Sequence, residues 1–150
     1  MSFVNDDVHR PATLNAEPMT DEEFSELCEG HPDLFFETNA EGELIVMAPS
    51  HFLTGVRNNW INTSLGAWAA ADGSGTACDS STGFVLPNGA RRSPDASWIL
   101  KSRLKNLAAS KLEGFLHLCP DFVVELQSDS DRPKFVWNPL ESWSGRNSVT

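Results

Sequence analysis

The sequence predicts an α/β domain with one central mixed sheet flanked by helices. Three observations lead there. Two stretches, "MTDEEFSELCEG" and "HFLTGVRNNWINTSLGAWAAADG", carry apolar residues at helical intervals. Short apolar runs, "LFFET", "ELIVM", "DASWIL" and "FVVELQ", have the length and composition of strands. Turn signals, "NAEG" and "PNGA", stand between such runs, and no internal repeat suggests a solenoid. With 150 residues, 40% of them hydrophobic and 21% charged, the chain suits one domain with a sizeable core.

Residues 1–18 are polar, hold two prolines and show no period, so they read as a flexible N-terminal arm ahead of a domain spanning 19–150. The first helix has Thr20 as N-cap and Glu23 completing a capping box; Gly30 and Pro32 end it, and Phe24 and Leu27 face the core. A hairpin follows, turning at "NAEG" and ending at Pro49. The second helix runs to Gly73, with Val56, Trp60, Ile61, Leu65 and Trp68 on its apolar side, and Trp60 and Trp68 read as core residues. "GTACDSSTGFVLPNGARRSPDASWIL" reads as antiparallel strands around Asn88-Gly89, a pair suited to the positive backbone angles of a tight turn. A polar connection with room for a short helix then leads to "FVVELQ", a central strand, and the proline-containing tail argues against a regular helix.

Composition excludes several classes. No apolar run approaches the ~20 residues that cross a bilayer, and no basic-then-apolar leader opens the chain, which points to a soluble cytoplasmic protein without a membrane partner. Cys28, Cys78 and Cys119 are odd in number and widely spaced, against a disulfide framework or a zinc site. The net charge of -10 opposes broad adhesion to nucleic acid. The charge is segregated, however: carboxylates crowd residues 19–43, while residues 88–111 are basic.

Glu125 is the anomaly. Along a strand, residues two apart share a face, so Glu125 and Gln127 project together, away from Val124 and Leu126. An ionised carboxylate in an apolar run needs a partner, an edge or a cation. Asp95, at the mouth of "ASWIL", is its natural companion. Should the two strands lie side by side, mutual repulsion raises one carboxyl's pKa unless a cation neutralises both, and such oxygen ligands suit Mg²⁺ or Mn²⁺. The alternatives drawn from spacing alone are a turn-capping Asp and a strand-edge Glu.

"DSSTGFVLPNGARRSPDASWI" followed by "CPDFVVELQSDSD" resembles the Uma-two family of restriction-endonuclease domains, whose fold is the PD-(D/E)XK nuclease-like one. The likeness extends through "MTDEEF", "GELIVMAP" and "TGVRNNWINTSLGAW", covering about residues 19 to 143. The resemblance implies a restriction-endonuclease-like sheet with helices on it, Asp95 and Glu125 as Mg²⁺ ligands, and Gln127 where the classical enzymes carry lysine. The implied activity is metal-dependent endonucleolytic hydrolysis of nucleic acid, DNA first. The alternative is a catalytically inactive remnant or binding module, because the acidic residue of the first core helix is missing from "SHFLTGVRNNW" and the ending "FVWNPLESWSGRNSVT" departs from the family's. That ending leads us to expect a domain incomplete at its C-terminus, whose open sheet edge favours a homo-oligomer.

Secondary candidates have plainer readings beside them. His51 could supply a ligand or base but fits a helix start. Lys134 could reach a phosphate but fits a solvated loop. Residues 91–93, "RRS", could contact a nucleic-acid backbone but also fit a charged hairpin end.

Overall fold

A computed structural model of the chain describes residues 12–47 and 49–126. Helix α1 (Asp21–Gly30) starts at the expected capping box: Thr20 Oγ1 accepts the Glu23 N–H at 3.2 Å, and Glu23 Oε2 accepts the Thr20 N–H at 2.8 Å. Strands β2 (Phe35–Thr38) and β3 (Leu44–Met47) form the predicted hairpin. Asn39 organises its turn, its side-chain oxygen accepting the N–H groups of Glu41 and Glu43. Ala12–Leu14, inside the segment read as an arm, add an edge strand, β1, antiparallel to β3.

Helix α2 (Phe52–Asp72) ends at Gly73, whose φ of 73° is left-handed and natural to glycine. It packs on β4 (Gly75–Asp79) and β7 (Ala96–Leu100), which pair antiparallel. Between these strands the chain makes the hairpin β5 (Phe84–Val85) and β6 (Arg91–Arg92) around Asn88-Gly89. Helix α3 (Lys101–Leu104) and a 3-10 turn at Ala109–Lys111 occupy the polar connection, and β8 (Phe122–Val124) pairs antiparallel with β7.

Among the described residues the single central mixed sheet is corrected to two antiparallel sheets, ordered β1-β3-β2-β6-β5 and β4-β7-β8, with one isolated parallel bridge from Phe84 to Leu116. The physical reason lies in "SPD", between β6 and β7. The Ser93 N–H is taken by the Glu37 carboxylate, and Pro94, buried, has no N–H to give, so the ladder cannot run through. Within its sheet β8 is an outer strand among the described residues, where a central one was expected.

Two apolar clusters form the core among the described residues, and the second draws on both sheets. Phe24, Phe36 and Leu44 seat α1 on the β2–β3 hairpin; Phe84, Leu86, Ala90, Ile99 and Leu116 fill the space around β5–β7. Phe115, packed edge-on against Phe24 at 5.2 Å, ties the long connection to α1. At the same place Arg91 bonds Asp21 at 2.7 Å and lies over the Phe24 ring, and His117 reaches the other Asp21 oxygen at 2.6 Å. The core reading of Trp60 and Trp68 is corrected, since both rings are exposed. The described part of the fold sets only the inner edge of α2 against β4 and β7, leaving the broad apolar side uncovered. The expected C-terminal incompleteness concerns residues outside those described.

Candidate functional site

The β7–β8 register sets Ala96 opposite Val124, so the next pair toward the open end is Asp95 and Glu125. Reciprocal bonds hold them. Asp95 Oδ2 accepts the Leu126 N–H at 2.7 Å, and the Glu125 carboxylate accepts the backbone N–H of Asp95. Each acid thus binds the backbone of the other's segment, which brings two carboxylates side by side at the mouth of the three-stranded sheet.

Asn62 of α2 supports this mouth from behind, its amide donating to the Asp95 carbonyl at 2.9 Å and to the Asn58 carbonyl at 3.0 Å. A polar residue inside an apolar helix weakens a helix prediction by sequence criteria; here its second bond ties α2 to the start of β7.

Glu37 is the residue that sequence reasoning missed. On β2, Phe36 and Thr38 turn into the core and Glu37 turns the other way, toward the β6–β7 crossing. Its Oε1 accepts the Ser93 N–H at 2.8 Å and its Oε2 accepts from Arg92 Nη1 at 3.0 Å, a pair with both side chains largely buried. Burial pushes its carboxyl up, Arg92 and Ser93 oppose that, and Asp95 adds to the rise. The signal was available: "FFET" sets one charge in an apolar strand, as "FVVELQ" does.

Glu125 is the most perturbed acid. Burial of its carboxyl is the main cause; the Asp95 and Glu37 charges add to it, and its pKa rises from an ordinary 4.5 to about 8 despite the Asp95 N–H and Arg92. Glu125 as a whole is nonetheless exposed, so water screens much of this repulsion. Repulsion, the cause expected from the sequence, contributes less to this rise than desolvation.

Asp95 and Glu125 are therefore brought together, while Gln127 lies outside the described residues. So does Lys134. His51 is the exposed N-cap residue of α2. Arg91 and Arg92 are both committed to internal ion pairs, with Asp21 and Glu37.

The sequence matches the Uma2 family, described as a putative restriction endonuclease, over residues 21–135 of the 150. The chain belongs to the Uma2 family. Its matched segment contains Glu37, Asp95, Glu125 and Gln127, and the antiparallel sheets with α2 laid on them are compatible with a restriction-endonuclease-like fold. No curated protein matches the chain.

Asp95 and Glu125 are oxygen donors of the kind that Mg²⁺ or Mn²⁺ take, ions that accept one or two carboxylates and fill the remaining positions with water and substrate oxygen. Among the described residues no group of three or more His, Cys, Asp or Glu side chains is arranged to hold a metal ion. An enclosed, all-protein cage is thus not what these residues offer. Among the described residues, no helix is long and apolar enough to cross a membrane.

Proposed function

We propose that this Uma2 protein is a metal-dependent endonuclease acting on phosphodiester bonds of nucleic acid, DNA in the first instance, with Asp95 and Glu125 holding Mg²⁺ or Mn²⁺. The observation that carries the reading is the pairing of these two acids at one sheet mouth, each fixed by the other's backbone, with Glu125 strongly disfavouring its own ionisation. A bound divalent ion would supply charge stabilisation at the phosphate and lower the pKa of attacking water. The chain's own groups do the rest. Asp95 and Glu125 present oxygens in a fixed relative position, because movement of either breaks a backbone bond. Asn62 holds the Asp95 backbone against α2, and Glu37 holds the preceding crossing through Ser93 and Arg92. Gln127, two residues beyond Glu125, would hold the water or the scissile phosphate by hydrogen bonding, without the positive charge of a lysine.

One observation favours a second reading, a binding module that keeps the fold without turnover: Arg92 engages Glu37, so the third nearby acid is already neutralised by the protein. The two readings separate in one pair of measurements. Under the nuclease reading, Mg²⁺ or Mn²⁺ added to EDTA-treated protein raises Tm by mass action, and plasmid or single-stranded DNA is nicked. Asp95→Asn and Glu125→Gln then abolish the metal-induced shift and lower cleavage by about 10²-fold or more, the scale expected when a group that stabilises transition-state charge is lost. A wild-type protein whose melting ignores both ions removes the metal site. A metal response without cleavage of DNA or RNA selects the binding module.

A further inference from the structure

Helix α2 is 21 residues long, and Ala69 is its one buried residue. Trp60 is 68% exposed, Leu53 64% and Trp68 51%. Beside this helix β8 presents Phe122, itself 51% exposed, and Val124. Trp60, Ile61, Ser64, Leu65, Phe122 and Val124 together line an open groove of about 430 Å³. An apolar surface of this extent on a folded chain marks a contact site.

The chain itself holds a matching segment. Val124 is a wall of the groove, and the sequence continues beyond Leu126 for 24 residues, 127–150. Within them "FVWNPLESW", 135–143, contains Phe135, Val136, Trp137, Leu140 and Trp143. The charges of 127–150 balance, with Asp129, Asp131 and Glu141 against Arg132, Lys134 and Arg146; α2 is equally neutral, with Arg57 and Asp72. Neither surface repels the other.

Length permits the contact. Eight residues, the number from 127 to 134, reach at most roughly 30 Å, against less than about 10 Å along α2 from Trp60 to Leu65. A segment tethered this closely acts at an effective concentration on the order of millimolar, far above a second copy at micromolar protein. We propose that the apolar segment 135–143 docks into the α2–β8 groove, with its aromatic rings against Trp60 and Phe122. Docking there covers the apolar side of α2 and clamps β8, which leads into Glu125. The proposal stands apart from the nuclease reading, because it concerns the face of α2 and not the carboxylates.

The test is a double-mutant cycle in the full chain, read as Tm at several protein concentrations. Trp60→Ala and Trp137→Ala each lower Tm by several degrees, and the double variant melts no lower than the less stable single one, the signature of a shared contact. Trp60 is exposed, so its truncation opens no core, and Trp60→Phe should keep most of the wild-type Tm. Dye binding to exposed apolar surface rises in Trp137→Ala. Strictly additive Tm losses, or a Trp137→Ala protein indistinguishable from wild type, overturn the proposal. So does a concentration-dependent dimer that Trp60→Ala dissolves, which would give the groove to a second copy.

Discussion

Glu125 is destabilising when ionised, and this follows from its surroundings. Its folded-state pKa lies near 8, against an ordinary 4.5, so the folded chain retains a proton there that the unfolded chain has released. Stability from this residue is greatest below about pH 4.5, falls as pH rises toward 8, and levels off above. Glu125→Gln removes that loss. In EDTA the variant's Tm should match wild type near pH 4.5 and exceed it increasingly up to pH 8, by an amount moderated by the residue's exposure. Parallel pH curves for the two proteins would contradict the assigned environment. The same substitution that stabilises the metal-free protein should destroy the metal response, a trade expected where a site keeps unfavourable charge for function.

At the scale of elements, local chemistry was legible where short-range rules act alone. The capping box of Thr20 and Glu23, the Asn88-Gly89 turn and the Gly73 stop each depend on backbone bonding within a few residues, and each stands where the sequence places it. Thr20→Ala should cost about 1 kcal/mol of unfolding free energy, the usual worth of such a cap. Gly75 makes a stronger demand. It begins β4 under the Trp98 ring, and a Cβ there would collide with the indole, which stacks edge-on with Trp68 at 5.4 Å. Gly75→Ala should therefore destabilise by ~1–3 kcal/mol as the ring is forced away, measurable by denaturant midpoint. No local pattern announced this glycine, because the clash comes from a strand paired 23 residues further along, Gly75 standing opposite Leu100 and beside Trp98.

For the whole molecule, the decisive link is between the two sheets. Glu37 on β2 and Arg92 on the neighbouring β6 belong to one sheet, Asp95 leads into the other, and Ser93, held by Glu37, begins the passage. Breaking one partner of a buried ion pair typically costs about 3–5 kcal/mol, since the other is left charged and unpaired. Glu37→Ala should reach that scale and, under the proposed nuclease reading, also weaken the Mg²⁺ response. Arg92→Met with Glu37→Met, a pair of similar volume and no charge, should recover much of the stability. Chemical denaturation of the single and double variants checks it; equal losses in all three would show that an unpaired buried charge is not the source of the loss.

By itself the sequence determined the α/β class, most element positions and the membership in Uma2, because these rest on periodicity, turn chemistry and local motifs, and it named Asp95 and Glu125 as companions on the condition that their strands adjoin. The tertiary structure alone decided that the sheet divides at Ser93-Pro94, that Glu37 joins the acidic site, and that Trp60 and Trp68 face outward. Each of those depends on which distant segment arrives beside a residue. A strand's alternation or a helix's period tells which side is apolar, but only the packed chain tells what, if anything, covers it.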